Sequence, residues 1–328
     1  MPTFYKIAVV GARRRRQGTG AFIAACFAQL GHEVCAIVGT GDDSIAAAQA
    51  DLQSKHGIQA KGYTDIATLF NEQDIDVLVI ASPDTTHLEY LHAALRAGCH
   101  VFCEKPLWWP DDDRCPAPED AERTATDLVK RFNEKKRVLF VNLQWPHTLS
   151  SFQALYPDLS LAAGDIARFA MHLSPESTGT RMVIDAAPHP LSMLHQLVGD
   201  GDILNATARY DGATRDALTL SFDYHHPQGG TAVTLTFKRD LQQPKPAGYA
   251  INGKSVERRV RMPDYLLSLA SSDQNIPIKD PLMQSIEAFM DVVQSKGQSK
   301  APNRAYTIVA GMKQLCQLVK ACGQTDDK

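Results

Sequence analysis

Residues 6–30 read KIAVVGARRRRQGTGAFIAACFAQL: a short β-branched run, a loop holding Gly11, Gly18 and Gly20, then a stretch of small and apolar residues. The run at 6–10 predicts a buried strand, and the stretch at 21–30 predicts a helix packed on the same sheet. The pattern recurs along the chain. Strands are expected at 34–38, 60–62, 77–81 and 100–103, with helices at 44–56, ended by Gly57, at 66–71, and at 86–97, ended by Gly98. Such alternation is the mark of βαβ units and a parallel sheet. An irregular stretch at 107–118 follows, with two Trp, three Pro and three consecutive Asp. A helix at 119–133 and a strand at 138–142 would complete this part near residue 145.

The remainder reads differently. Strand-like alternation at 165–173, 206–210, 217–224 and 231–238, without helices between strands after one that begins near Pro190, predicts an antiparallel sheet. Leu218, Leu220, Phe222, Val233, Leu235 and Phe237 share one face of it, and Thr219, Ser221, Thr234 and Thr236 share the other. Two helices, at 281–295 and 305–321, close the chain. The expected fold class is α/β: a doubly wound parallel sheet over 1–145, then an α+β domain on a mainly antiparallel sheet over 146–328. A length of 328 residues suits two domains.

Composition narrows the partners. Apolar residues make up 44% and charged residues 22%, and 34 Lys and Arg against 37 Asp and Glu leave a formal charge of -3. No global positive field exists to hold a nucleic acid or an anionic membrane, and no apolar run approaches the roughly 20 residues of a membrane span. A small molecule in a local site is the expected partner. The seven cysteines lack framework spacing and no secretory-type stretch precedes them, so reduced thiols in the cytoplasm are expected. Cys99, His100 and Cys103 are close in sequence, but strand alternation sends neighbours to opposite faces, and no metal is expected.

The glycine loop lies where a dinucleotide-binding fold brings backbone N–H groups and a positive helix end to a pyrophosphate. The spacing is not G-x-G-x-x-G; Arg13, Arg14, Arg15 and Arg16 lengthen the turn by about three residues. Four like charges together read either as a solvated basic loop or as a site for an anion. After the second strand come Gly39, Thr40 and Gly41, where an NAD-specific fold usually carries an acidic residue for the ribose hydroxyls. Small uncharged residues beside an arginine-rich loop favour NADP, with NAD possible. The alternative is that Asp42 or Asp43 makes the ribose contact after a shifted turn.

Three segments carry a resemblance: VLVIASPDTTH at 77–87, AGCHVFCEKPL at 97–107 and DAAPH at 185–189. Together they resemble the Gfo/Idh/MocA oxidoreductase family, in which a Rossmann domain precedes an α+β domain with an open sheet. The resemblance implies hydride transfer between a nicotinamide and the hydroxyl or carbonyl carbon of a sugar- or polyol-like substrate, in a homo-oligomer. It also admits a catalytically silent, dinucleotide- or sugar-responsive regulator. It implies a role beside nicotinamide and substrate for Lys105, within Glu104-Lys105-Pro106, and a place near the cofactor for Ser82 and His87. It assigns Asp185 to orient His189, and His189 to move the hydroxyl proton. Catalytic candidates are therefore Lys105, Asp185 and His189. The expected cofactor contacts are Gly11, Arg13, Arg14, Gly18, Thr19, Gly20, Thr40, Ser82, His87, Glu104 and Lys105.

Some positions depart from the family pattern. Ala187 stands where glycine is common and Ser192 where an acidic or amide residue is frequent. Gln144-Trp145-Pro146 replaces a stretch that often brings an arginine to substrate. His195, on the helix after Pro190, reads as packed, and His225 and His226 read as solvated.

Overall fold

The computed structural model describes residues 4–13, 18–111, 114–295 and 304–323. Arg14, Arg15 and Arg16 lie outside them. The chain divides into two compact units: Met1–Arg114, Thr124–Asn142 and Leu282–Ile308 form the first; Cys115–Arg123, Leu143–Pro281 and Val309–Lys328 form the second.

The first unit is built on β1 (Lys6–Val10), α1 (Gly20–Gln29), β2 (Glu33–Val38), α2 (Asp42–His56), β3 (Lys61–Tyr63), α3 (Ile66–Glu72), β4 (Val77–Ile80), α4 (His87–Ala97), β5 (His100–Cys103), α5 (Pro118–Glu134) and β6 (Leu139–Val141). Its six strands run in the order β3-β2-β1-β4-β5-β6 and every neighbouring pair is parallel. The order reverses between β1 and β4. Such a switch point opens a crevice at the carboxyl ends of the strands, where open α/β sheets place their ligands. Burial on both faces explains the unbroken apolar runs: Ile7, Ala8 and Val9, and all of β4, have no exposed surface. Left-handed Gly57 and Gly98 end α2 and α4 as the sequence predicts. Residues 104–111 and 114–117 are irregular, yet Leu107, Trp108 and Trp109 are buried among them.

The second unit carries α6 (Leu149–Leu155), β7 (Arg168–Leu173), α7 (Arg181–Ala186), α8 (Pro188–Val198), β8 (Asp202–Tyr210), β9 (Ala217–His226), β10 (Gly229–Lys238), β11 (Gly248–Ile251), β12 (Lys254–Arg261), β13 (Leu266–Ala270) and β14 (Asn275–Pro277). Eight strands form one sheet, ordered β14-β13-β12-β11-β7-β10-β9-β8. It is antiparallel except for β7 beside β10. Leu218, Leu220, Phe222, Val233, Leu235 and Phe237 are buried, and Thr234 and Thr236 on the opposite face are exposed. Four strands, β11 to β14, go beyond those expected from the sequence, as does α6. His226 is buried rather than solvated, because β9 extends to it and turns its ring toward Thr231.

Two helices close the chain, α9 (Pro281–Gln294) and α10 (Arg304–Gly323). Phe289 of α9 completes the aromatic centre of the first unit, with ring centroids 6.1 Å from Phe27 and 5.5 Å from Phe102 and Phe140. That core is what fixes the strand ends on which the site is built.

Candidate active site

At the carboxyl edge of the first sheet, backbone packs directly on backbone. Gly11 has φ +81°, and a Cβ added there would lie 2.6 Å from the Ala81 carbonyl oxygen and 2.7 Å from the Ser82 nitrogen. A Cβ on Gly20 would lie 2.4 Å from the Gly11 carbonyl oxygen. Both contacts are shorter than any side chain tolerates, so these two positions require glycine. Gly11 N–H donates to Val38 O at 3.1 Å, which joins the glycine turn to the end of β2. Arg13 and Gly18, half-buried, flank the part of the loop outside the described residues.

The N-terminus of α1 has no side-chain cap and no acidic residue in its first turn. Thr19, the residue positioned to cap it, instead donates its hydroxyl to Glu104 Oε1 at 2.9 Å. Thr19 thus gives α1 no capping acceptor, and the positive end of a helix is where a dinucleotide-binding fold holds an anion.

Glu104 is a brace. Its Oε1 also accepts from Asn142 Nδ2 at 2.7 Å, and Oε2 accepts from the Lys105 N–H at 3.4 Å. One carboxylate therefore ties the exit of β5 to the start of α1 and the residue after β6. Asn142, itself buried, is a residue the sequence reading did not single out. Charge-assisted bonds of this kind are about twice as strong as neutral ones.

His87 begins α4 and is buried. Its Nε2 faces Ser82 O at 2.9 Å and its Nδ1 faces Pro106 O at 3.0 Å, with Cys103 Sγ at 3.5 Å from Nδ1. The ring therefore clamps the turn after β4 to the turn after Lys105. Burial pushes the Cys103 thiol well up, so it stays protonated beside the ring. Lys105 lies half-buried one residue before Pro106, across a cis peptide bond. The Ser82 hydroxyl is 2.8 Å from that of Thr86. Thr40, two residues past β2, is exposed, and Asp42 and Asp43 occupy the first turn of α2.

In the second unit, α7 ends at Ala186 and α8 begins at Pro188, with Ala187 between them. Proline in the first turn needs no N–H donor there, and its fixed φ suits that position. Asp185 is on the last turn of α7, and Arg181 Nε is 3.0 Å from its Oδ1. His189 is the second residue of α8 and half-buried; its carbonyl accepts from the Ser192 hydroxyl at 2.6 Å. Arg181 enters here as a partner of Asp185 that its i, i+4 spacing could have revealed. His195 is packed, as expected: its Nε2 is 2.7 Å from Gln314 Oε1, and burial brings its pKa down to about 4.

A guanidinium does stand over the turn at 144–146, although no arginine occurs in that stretch. Arg258, on β12, lies with Cζ 5.4 Å from the centroid of the Trp145 ring and Nη2 3.4 Å from Lys245 O. Burial lowers its pKa. Among the described residues, no group of three His, Cys, Asp or Glu is placed to hold a metal ion, and no helix is long and apolar enough to cross a membrane.

Residues 5–143 match the family described as "Oxidoreductase family, NAD-binding Rossmann fold". An inositol 2-dehydrogenase from Salmonella paratyphi B is 41% identical over 71 residues, 22% of this chain. That match spans only about a fifth, 21%, of the relative's length. Among solved structures, a UDP-N-acetylglucosamine 3-dehydrogenase from Acidithiobacillus ferrooxidans aligns over 97% of this chain and 98% of its own, at TM-score 0.68 and 15% identity. A 3-ketoreductase from Actinomadura kijaniata, in complex with TDP-benzene and NADP, covers 97% of this chain and 96% of its own, at TM-score 0.65 and 22% identity. At these identities the structural likeness is one of fold.

Proposed function

We propose, from the premise that this chain belongs to the Gfo/Idh/MocA family of oxidoreductases, that it transfers hydride between a nicotinamide dinucleotide and the hydroxyl or carbonyl carbon of a sugar- or polyol-like substrate. The observation that carries this reading is the carboxyl edge of the first sheet: Gly11 and Gly20 leave room that a Cβ would fill, and Glu104 takes the Thr19 hydroxyl away from capping α1. Residues 1–145 form the dinucleotide-binding part in this reading, and 146–328 the substrate-binding part.

A bound nicotinamide supplies the hydride acceptor or donor, and the protein supplies binding, orientation and a proton path. The backbone N–H groups at the start of α1, with Gly11, Gly18, Thr19 and Gly20, would hold the pyrophosphate. Ser82, His87 and Glu104 keep the neighbouring turns in register. Lys105 donates a hydrogen bond to a substrate oxygen, which stabilises negative charge on it. His189 takes the hydroxyl proton when the substrate is oxidised and returns it in reduction, while Asp185, steadied by Arg181, favours its cationic form. Arg258 over Trp145 gives the substrate part the guanidinium that the 144–146 stretch lacks.

NADP is the favoured cofactor. The turn after β2 offers the exposed Thr40 and no carboxylate, and Asp42 and Asp43 serve the N-terminus of α2, where negative side chains are stabilising. Arg13 and Arg14 would then meet the 2′-phosphate. The expected setting is the cytoplasm, as a homo-oligomer that covers the Thr-rich face of the second sheet. Titration with NADPH and NADH, followed by a screen of carbonyl sugars for loss of nicotinamide absorbance, tests the reading. Binding without turnover across that screen, with Lys105→Met indistinguishable from wild type, would shift it to a dinucleotide-responsive regulator.

A further inference from the structure

The chain contains seven cysteines, and two of them meet within the second unit. Cys115 lies half-buried in the irregular stretch before α5, and Cys316 is fully buried in α10. They are 201 residues apart in sequence, yet Cys115 Sγ is 3.5 Å from the Cys316 carbonyl oxygen, and the two side chains are close enough to shift each other's ionisation in opposite directions. Other thiols are spent on distant backbone: Cys35 donates to Ile7 O at 3.6 Å and Cys99 to Ile75 O at 3.1 Å. We propose that Cys115 and Cys316 form a reversible disulfide, with Cys115 as the thiol that reacts first with a hydroperoxide and Cys316 as the one that resolves it.

The surroundings suit those two roles. As a thiol, Cys115 donates to the Cys316 carbonyl; as a thiolate, it accepts from the Cys316 thiol. That bond lowers the Cys115 pKa against the opposing effect of burial, with help from the Lys320 ammonium. Cys316 is pushed up, first by the same bond and then by its own burial, so it keeps its proton; Glu119 adds to this and Lys320 opposes it. Exposure and thiolate character together select the first site of oxidation. The Cys115 thiolate attacks one oxygen of the hydroperoxide, the O–O bond breaks, and the other oxygen leaves as water or alcohol after taking a proton. Cys115 is now a sulfenic acid. The Cys316 sulfur then attacks Cys115 Sγ, and the hydroxyl leaves as water with the Cys316 proton. Two thiols and one hydroperoxide thus become one disulfide, one water from the sulfenic acid hydroxyl, and one further water or alcohol from the other peroxide oxygen.

Peptide mapping of the full chain under non-reducing conditions, after stoichiometric hydrogen peroxide, is the direct test. Wild type should lose two of its seven thiols, yield a linked pair of peptides containing Cys115 and Cys316, and regain both thiols with dithiothreitol. Cys316→Ser should stop at a sulfenic acid on Cys115 that dimedone labels, and Cys115→Ser should keep its Cys316 thiol. Retention of both thiols in wild type, a linkage between other cysteines, or equal loss in the Cys115→Ser protein would overturn the assignment. The wild-type map decides the matter even if a variant fails to fold.

Discussion

Where β1, β4 and α1 converge in the first unit, backbone lies so close to backbone that no Cβ fits at Gly11 or Gly20. At the bend between α7 and α8 in the second, the groups proposed to handle the proton are met by side chains, with Arg181 against Asp185 and the Ser192 hydroxyl on the His189 carbonyl. The two regions respond differently to change. A substitution at the first edge must move main chain shared by three elements, whereas one at the bend alters a single group and leaves the helices in place. On the proposed reading, a frame of the first kind holds the cofactor, and a bend of the second kind leaves the substrate open to variation.

Removing the proposed proton-handling groups should break this contrast most sharply. Lys105→Met and His189→Ala are expected to lower turnover by roughly 10²- to 10⁴-fold, the usual loss for a positioned acid or base. Neither side chain is part of a buried core, so the melting temperature should stay within a few degrees of wild type. Steady-state kinetics beside a thermal melt separates the two effects. A matching collapse of stability would show that the residues hold the fold.

The next expected effect concerns cofactor choice. If Arg13, Arg14, Arg15 and Arg16 meet a 2′-phosphate, their joint replacement by serine should remove a preference for NADPH of roughly 10- to 100-fold, about 1.5 to 3 kcal/mol for charge-assisted contacts. Affinity for NADH should change little. Calorimetry at matched salt reads both, and equal affinities in the wild-type protein would leave the ribose contact to Asp42 or Asp43.

Gly20→Ala tests the backbone side of the comparison. The added methyl would meet the Gly11 carbonyl oxygen at 2.4 Å, and neither partner is a flexible side-chain end. A cost of about 1 to 3 kcal/mol is expected, as for other overpacked sites, with weaker dinucleotide binding. Urea unfolding measures the first and titration the second. Alanine at Gly31, where a Cβ would meet nothing within 4 Å, is the matched control: its φ of +83° strains the chain without a clash.

The same contrast governs what the sequence reveals. The parallel sheet was legible because burial on both faces forces unbroken apolar runs, and Gly57 and Gly98 mark where helices stop. Glu104 was legible as a site residue through its tripeptide. Its partner Asn142 was not, because a hydrogen bond across 38 residues leaves no local pattern. In the second unit, β12 reads KSVERRVR, and only Val256 on it is fully buried, so its alternation was hidden under charge. Yet the turn before it was a clear signal: Asn252 and Gly253, both with positive φ, join Ile251 to Lys254 in a two-residue hairpin. Recognising that Asn-Gly pair would have added β11 and β12. Arg258 over Trp145 joins residues far apart in the chain, and no spacing rule could have brought them together.

The smallest expected effect is a pH dependence that each unit carries independently. His100 in β5 and His195 in α8 are both brought down to about 4 from an ordinary 6.5, chiefly by burial. Each is neutral in the folded protein and fills a defined role: His100 Nδ1 accepts from Val138 N–H at 3.0 Å, and His195 Nε2 donates to Gln314 Oε1. Because the unfolded chain binds protons more readily at these sites, stability rises with pH through this range. The contribution is fully present above 6.5 and is lost as pH falls toward 4. For the buried His195, moving from pH 7 to pH 5 should cost roughly 1 to 2 kcal/mol. His195→Gln should flatten that slope in urea unfolding while leaving the His100 share intact. An unchanged slope would mean that the ring reaches water and takes up its proton without unfolding the second unit.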